Sequence, residues 1–227
     1  MTSTDTNAHP AAHTHAYILL DRTGSMSSIW TEALGSVNAY VDALTRPADG
    51  AKPSGDDKVT LAVFDHQGGL KFDLLRRGVT AATWNKVTDD EASPRGMTPL
   101  FDSIARIVAL AEGDAPQRAV IVIMTDGEEN SSREVTKDGA KAALDRARAR
   151  GWEVVFLGAE FGKFADAEAV GVIHSKAMAV SAGSMDLSMR KLASKSRKYF
   201  EAAEAMGFNA EDRNESGEED VKRRKGS

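Results

Sequence analysis

Two apolar runs, each followed by an aspartate, most constrain how this chain folds. Residues 16–20 are Ala-Tyr-Ile-Leu-Leu before Asp21, and residues 119–124 are Ala-Val-Ile-Val-Ile-Met before Thr125 and Asp126. Neither run alternates polar with apolar residues, which is typical of parallel strands covered on both faces. Each run precedes a Gly-containing turn and a helical pattern, the order of a βα unit. We therefore expect Asp21 and Asp126 at the carboxyl ends of two strands, where open α/β sheets bind ligands.

Strand and helix patterns alternate along most of the chain. The predicted strands are 16–21, 59–64, 70–75, 119–125, 153–157 and 172–174, and the predicted helices are 28–45, 100–112, one from 131, 132 or 133 to about 150, 163–170, and 184–206. The 70–75 segment alternates like a half-exposed antiparallel strand. The order predicts an α/β fold with a doubly wound, mainly parallel sheet, one antiparallel edge strand and helices on both faces, a Rossmann-like architecture.

Changes in composition divide the chain into four parts. Residues 1–14 are polar and predict a disordered lead, and residues 15–180 form the α/β domain. Residues 181–208 predict an amphipathic helix packed on the domain or extending from it, because apolar side chains recur at helical spacing. Residues 209–227 are charged, acidic first and then basic, which predicts a disordered tail.

Oxygen-bearing side chains cluster where the two apolar runs end. The segment Asp21-Arg-Thr23-Gly-Ser25 spaces three oxygens two residues apart, and Gly24 allows the backbone to curl so that they converge. Thr98, before Pro99, and Asp126 would add a fourth and a fifth oxygen from other loops. An all-oxygen set in a chain without cysteine favours Mg²⁺, with Mn²⁺ or Ca²⁺ as alternatives, over zinc or copper.

The charge of these ligands predicts how such a site would act. Two carboxylates and three neutral hydroxyls compensate a divalent cation only weakly, so the ion would remain electrophilic. A carboxylate from a protein partner, Glu or Asp, is the natural sixth ligand. Arg95, close before Thr98 in the sequence, would line the rim and help to select an acidic partner.

The three motifs in this order resemble the metal-ion-dependent adhesion site (MIDAS) of von Willebrand factor type A (VWA) domains. Asp21-x-Thr23-x-Ser25, Thr98 and Asp126-Gly127 carry the resemblance, which covers residues 15 to 175 and favours an intracellular prokaryotic or phage type. The resemblance implies that the hydroxyls bind the metal directly and that the aspartates act through water. Thr23 stands where the strictest pattern has Ser, and its hydroxyl still supplies an oxygen ligand for the metal.

Each of these residues also fits a simpler role. A strand-terminal Asp before Gly is often a turn residue, and Thr98 before Pro99 is a common helix cap. The ion could brace the loops without binding a partner, or the site could be a metal-dependent phosphoester hydrolase. Against catalysis, Ser25 lacks the second glycine of a nucleophile elbow and has no sequence-adjacent His base. We therefore expect a binding module rather than an enzyme.

Composition limits the remaining classes. No apolar run approaches the length of about 20 residues that a membrane span needs. A net charge of -5 gives no general attraction to nucleic acid, and no specific nucleic-acid partner is expected. The absence of cysteine and of an apolar leader favours the cytoplasm as the location.

Overall fold

The computed structural model describes residues 13–46, 56–159, 167–168 and 170–225. Within them six strands form one sheet: β1 (Thr14–Asp21), β2 (Lys58–His66), β3 (Leu70–Thr80), β4 (Arg118–Thr125), β5 (Glu153–Ala159) and β6 (Ala177–Val180). Their order is β3-β2-β1-β4-β5-β6. All neighbours are parallel except the antiparallel pair of β2 and β3. A mainly parallel sheet with one antiparallel edge strand confirms the predicted fold class.

Helices cover both faces of this sheet. In the described residues the α-helices are α1 (Trp30–Leu44), α2 (Leu100–Asp114), α3 (Lys137–Ala149), α4 (Met185–Ala202), α5 (Ala210–Glu215) and α6 (Glu218–Lys225). Ile18 of β1 belongs to the core that includes α1 and α4, whereas its neighbour Leu19 belongs to the core that includes α2 and α3. Successive strand residues therefore enter opposite cores, which is why β1 is apolar throughout.

The order of the strands reverses at the boundary between β1 and β4. From β1 the chain proceeds outward to β2 and β3, and it then returns to the other side of β1 as β4. Leu20 is aligned with Met124 across this boundary, so Asp21 and Thr125 follow at the same carboxyl edge. Open α/β sheets bind ligands in the crevice that such a reversal creates. The predicted placement of Asp21 and Asp126 at strand ends is confirmed.

The helix predicted from residues 131 to 133 begins later, at Lys137. Two carboxylates take the backbone N–H groups that would have opened the helix. Glu129 accepts from the N–H groups of Ser131 and Ser132, and Asp102 accepts from those of residues 133, 134 and 135. The chain therefore forms neither helix nor strand until Thr136, whose hydroxyl caps α3 by accepting from the N–H of residue 139.

The last strand of the sheet was predicted at 172–174, and this prediction is wrong by several residues. Val172 is buried, but Ile173 is 62% exposed and His174 opens a 3-10 turn. Pairing with β5 starts only at Ala177, which is aligned with Phe156. Residues 172 and 173 therefore lie in a loop, and the apolar run 177–180 pairs with β5 instead.

The predicted disordered tail differs from the structure over residues 209–225, which form α5 and α6. A capping box joins Asn209 and Asp212 at the start of α5. The Arg213 guanidinium pairs with Glu218, which is 1% exposed, and also donates to the Ala177 carbonyl on the edge strand β6. Charged residues that pair with one another and with backbone carbonyls thus order a segment whose composition alone predicts disorder.

The amphipathic helix predicted in 181–208 packs on the domain as α4, against α1. The Tyr40 hydroxyl donates to Ser196 Oγ at 2.9 Å, and Glu32 accepts from the backbone N–H groups of Gly183 and Met185. Of the predicted lead, residues 1–12 lie outside the described residues and Thr14 already belongs to β1. Most of the predicted helix 163–170 also lies outside them. In the part described, no helix is long and apolar enough to cross a membrane.

A buried polar cluster lies at the opposite, amino edge of the sheet. His15 is 1% exposed, stacks on Tyr17 with ring centroids 4.0 Å apart, and has its Nε2 2.9 Å from Thr60 Oγ1. Tyr17 donates to Asp114 at 2.9 Å. Burial lowers the pKa of His15 to about 4, although the negative charge of Asp114 acts in the opposite direction. The imidazole is therefore neutral at physiological pH.

Candidate metal centre

The first motif curls directly after β1. Asp21 Oδ1 accepts from the Thr23 backbone N–H at 2.7 Å, and a 3-10 turn follows over Gly24–Ser28. Gly24 does not have a positive φ, so the expected left-handed freedom of this glycine is not what curls the loop. The aspartate turn and the 3-10 turn do so instead. The predicted convergence holds, since Thr23 Oγ1 and Ser25 Oγ lie 3.1 Å apart.

The five predicted oxygens come together from three separate segments. Thr98 Oγ1 lies 3.3 Å from Thr23 Oγ1, and Ser25 Oγ donates to Asp126 Oδ1 at 2.6 Å. A Cβ on Gly127 would lie 2.9 Å from Thr98 Oγ1, 3.5 Å from Ser25 Oγ and 3.7 Å from Asp21 Oδ2. One point beside Gly127 is therefore within 4 Å of side-chain oxygens from the first motif and from Thr98, and only a glycine leaves that point open.

Asp21 is buried at the base of this cradle. It is 0% exposed, and its Oδ2 accepts from the Thr125 hydroxyl at 2.6 Å. Burial raises the pKa of Asp21 to about 6, although hydrogen bonds from Thr125 and Thr23 lower it. The charge of Asp126 raises it further. At neutral pH the Asp21 carboxyl group is therefore ionised at a cost in free energy, because its charge is buried. A cation bound beside Asp21 would offset this cost.

The donor set suits a hard divalent cation. No group of three or more His, Cys, Asp and Glu side chains that could hold a metal occurs in the described residues, so a metal here depends on hydroxyl ligands as well as carboxylates. Two carboxylates and three hydroxyls, all oxygen, are ligands that Mg²⁺, Mn²⁺ and Ca²⁺ accept. The chemistry of the residues therefore fits the ion that the sequence predicts.

Asn130 fixes the position of Thr98, a role that the sequence did not reveal. The Thr98 N–H donates to Asn130 Oδ1 at 2.9 Å, and the Asn130 N–H donates to the Thr98 carbonyl at 3.1 Å. Thr98 is consequently 2% exposed and held against the loop that carries Asp126. Thr125 was also missed as a partner of Asp21, although it adjoins a predicted ligand. No periodicity or motif marks Asn130.

Arg22 anchors the same segment from the other side. Its guanidinium is 4% exposed and donates from Nε to Asp65 Oδ2 at 2.5 Å, while a second nitrogen pairs with Asp73. Asp65, at the end of β2, is fully buried and also accepts from Arg95 Nε at 3.2 Å. The Arg95 N–H donates to the Arg22 carbonyl at 2.8 Å. The Arg95 side chain, 39% exposed, therefore lies at the rim but is directed towards Asp65.

A glycine completes the support of the Thr98 segment. His66 and Met97 exchange backbone hydrogen bonds of 3.0 and 3.4 Å. Gly96, directly before Met97, has φ +71°, and a Cβ there would lie 2.5 Å from the His66 carbonyl oxygen. Only glycine accommodates this approach. Met97, 47% exposed, is thereby held at the rim next to Thr98.

The fold and the site together define this chain as a doubly wound α/β domain with a candidate cation site at the carboxyl edge of its sheet. The sheet is doubly wound, its strand order reverses between β1 and β4, and an oxygen-lined cradle lies at that reversal. Domains of this class bind ions or small groups at the carboxyl edge of the sheet.

Solved structures of VWA domains share the fold. The von Willebrand factor type A protein from Catenulispora acidiphila matches with a TM-score of 0.53 and 17% identity, over 82% of this chain and 43% of that chain. The vWF domain of the type V pili tip protein Mfa5 from Porphyromonas gingivalis gives a TM-score of 0.60 and 10% identity, over 89% of this chain and 100% of that one. This chain therefore has the VWA fold.

A third similar structure contains an occupied site. Proximal thread matrix protein 1 from the mussel byssus, with a zinc-occupied MIDAS motif, matches with a TM-score of 0.53 and 16% identity. The match covers 82% of this chain and 48% of that one, so the chain spans about half the length of this relative and of the Catenulispora protein. No protein-family model and no curated protein matches the chain.

Proposed function

We propose that this chain is a protein-binding module that uses a divalent cation to capture a Glu or Asp side chain of a partner. The observation that carries the proposal is the cradle around Gly127, where oxygens of Asp21, Ser25 and Thr98 lie within 4 Å of one point and Ser25 donates to Asp126 at 2.6 Å. The zinc-occupied MIDAS motif of the mussel protein supports it at the level of the shared fold.

Each residue of the cradle has a proposed task. Thr23, Ser25 and Thr98 would hold the ion through their hydroxyls, whereas Asp21 and Asp126 would orient water and balance charge. The bound ion would supply an electrophilic position for an incoming carboxylate. Mg²⁺ is the proposed ion, with Mn²⁺ and Ca²⁺ as alternatives, because the ligands are all oxygen.

The contacts of Ser25 favour binding over catalysis. Its hydroxyl donates to Asp126 Oδ1 at 2.6 Å, whereas the serine nucleophile of a hydrolase usually donates to a histidine base. Asp21 is not free to act as a nucleophile either, because it is buried and its two oxygens accept hydrogen bonds from Thr23 and Thr125. We therefore propose that the chain has no intrinsic hydrolytic activity.

Acetate is a minimal probe for the proposed capture. Protein loaded with Mn²⁺ is titrated with acetate while the relaxation rate of water protons is followed. A carboxylate that replaces metal-bound water lowers this rate in the wild type, and Ser25→Ala, which weakens metal binding, removes the effect.

An ion that only braces the loops would raise the melting temperature without any response to acetate. A hydrolase would turn over a generic phosphoester and lose that activity in Asp21→Ala.

A further inference from the structure

An open cavity of about 340 Å³ is lined by residues that follow Thr98 and Asp126 in the sequence. Its walls are the start of α2 and the segment 129–137, and Phe101 and Val135 give it an apolar surface. Phe101 is three residues after Thr98, and Glu129 is three residues after Asp126. The cavity thus continues directly from two of the loops that form the cradle.

The acidic side chains of this cavity are already engaged. Glu129 accepts four hydrogen bonds: from the N–H groups of Phe101, Ser131 and Ser132 and from the Ser132 hydroxyl, at 2.7 to 2.9 Å. Glu134 pairs with Arg106 of α2 at 2.9 Å. The negative charges of the cavity are therefore compensated by groups of this chain.

The two basic side chains of the cavity are not compensated in this way. Arg133 and Lys137 are both exposed, and neither side chain has an ion pair within the part of the chain that the structure describes. Asp102 bonds the backbone N–H of Arg133 and leaves the guanidinium outside. The Arg133 and Lys137 side chains are therefore both available to pair with a carboxylate of a partner.

We propose that the cavity is a second contact for the acidic partner: a protein segment whose first carboxylate reaches the metal centre continues into the cavity and places a second carboxylate between Arg133 and Lys137. Phe101 and Val135 contact the aliphatic part of that segment. The inference rests on the proposed function, since the first carboxylate is the one held at the metal. It adds a requirement on the partner, two acidic residues close together rather than one.

The test compares short synthetic peptides that carry a ¹⁹F label, because ¹⁹F NMR detects weak binding. One peptide contains a single Glu, and a series contains a second Glu at increasing separation on either side. Each is titrated with the full chain in Mg²⁺ and in EDTA. The best two-Glu peptide should bind about three- to thirtyfold more tightly than the one-Glu peptide, as expected for two exposed ion pairs.

Charge variants assign this gain to the cavity. Arg133→Gln combined with Lys137→Gln should remove the gain and leave binding of the one-Glu peptide unchanged. Lys86→Gln combined with Lys198→Gln is the matched control, because both lysines are exposed and lie outside the cavity, and it should keep the gain.

The outcomes separate the two proposals. Mg²⁺-dependent binding of the one-Glu peptide, with no gain at any separation or with a gain that survives in the cavity variant, overturns the second contact and leaves the proposed function standing. If neither peptide binds in a Mg²⁺-dependent manner, both proposals fail. A single-stranded oligonucleotide that binds more tightly than every peptide and is lost in the cavity variant would also overturn the assignment to an acidic protein segment.

Discussion

Replacing Asp21 with Asn should stabilise the metal-free protein. Asp21 is fully buried, and its pKa of about 6 means that the folded chain ionises it reluctantly. Asn has nearly the same shape and keeps an oxygen for the Thr23 N–H. Its amide can donate to the Thr125 hydroxyl, which has the Gly127 carbonyl as an alternative acceptor at 3.2 Å. The substitution therefore removes a buried charge without leaving a buried polar group unsatisfied.

The pKa shift sets the size of the effect. A carboxyl group with a pKa of 3.8 in the unfolded chain and about 6 in the folded chain favours folding only while it is protonated. The stabilisation that the protonated Asp21 contributes is fully present below the unfolded-state pKa of 3.8 and is lost as pH rises through the folded-state pKa of about 6. The free energy of unfolding falls by about 3 kcal/mol over this range. The advantage of the Asp21→Asn variant over the wild type should be about 3 kcal/mol near pH 7.5 and about 1.5 kcal/mol near pH 5.

Urea unfolding in EDTA at these two pH values measures the difference between the proteins. Asp90→Asn is the control, since Asp90 is exposed and its replacement should change the free energy of unfolding by less than about 0.5 kcal/mol. Saturating Mg²⁺ should stabilise the wild type and not the Asp21→Asn variant. An Asn variant that is less stable than the wild type in EDTA, or equally favoured at both pH values, would refute the reasoning.

Two other substitutions probe the site and the opposite edge. Gly127→Ala places a methyl group 2.9 Å from Thr98 Oγ1 and should weaken Mn²⁺ binding at least about tenfold by calorimetry, whereas Gly113→Ala, with open space around it, should not. Because burial lowers the pKa of His15 from 6.5 to about 4, the free energy of unfolding should fall by about 3 kcal/mol as pH falls across this range. His15→Gln should lose this pH dependence when unfolding is measured by urea titration. A stability difference between wild type and variant that stays constant from pH 6.5 to 4 would contradict the prediction.

The two central strands, β1 and β4, could be predicted from the sequence because a strand that is buried on both faces has to be apolar throughout. Ile18 and Leu19 enter different cores, so the run cannot alternate with polar residues. The convergence of Thr23 and Ser25 was also predictable, since their spacing and the adjacent strand end fix them within one turn. Here local sequence and tertiary structure agree.

The errors arise where partners distant in sequence decide the structure. Asp102 captures N–H groups more than 30 residues away and so delays α3, which helix periodicity cannot show. Arg213 orders the C-terminal segment by bonding Glu218 and the edge strand, although the composition of that segment predicts disorder. Asn130 is similar, because its importance lies entirely in its contact with Thr98.

A titration with Mn²⁺ followed by electron paramagnetic resonance tests the central claim most directly. Wild type, Asp126→Ala and the exposed control Asp90→Asn are compared. The account predicts one stoichiometric Mn²⁺ site in the wild type and the control, and its loss in Asp126→Ala. No site in the wild type, or a site that Asp126→Ala leaves intact, would contradict the assignment of the cradle as a metal centre.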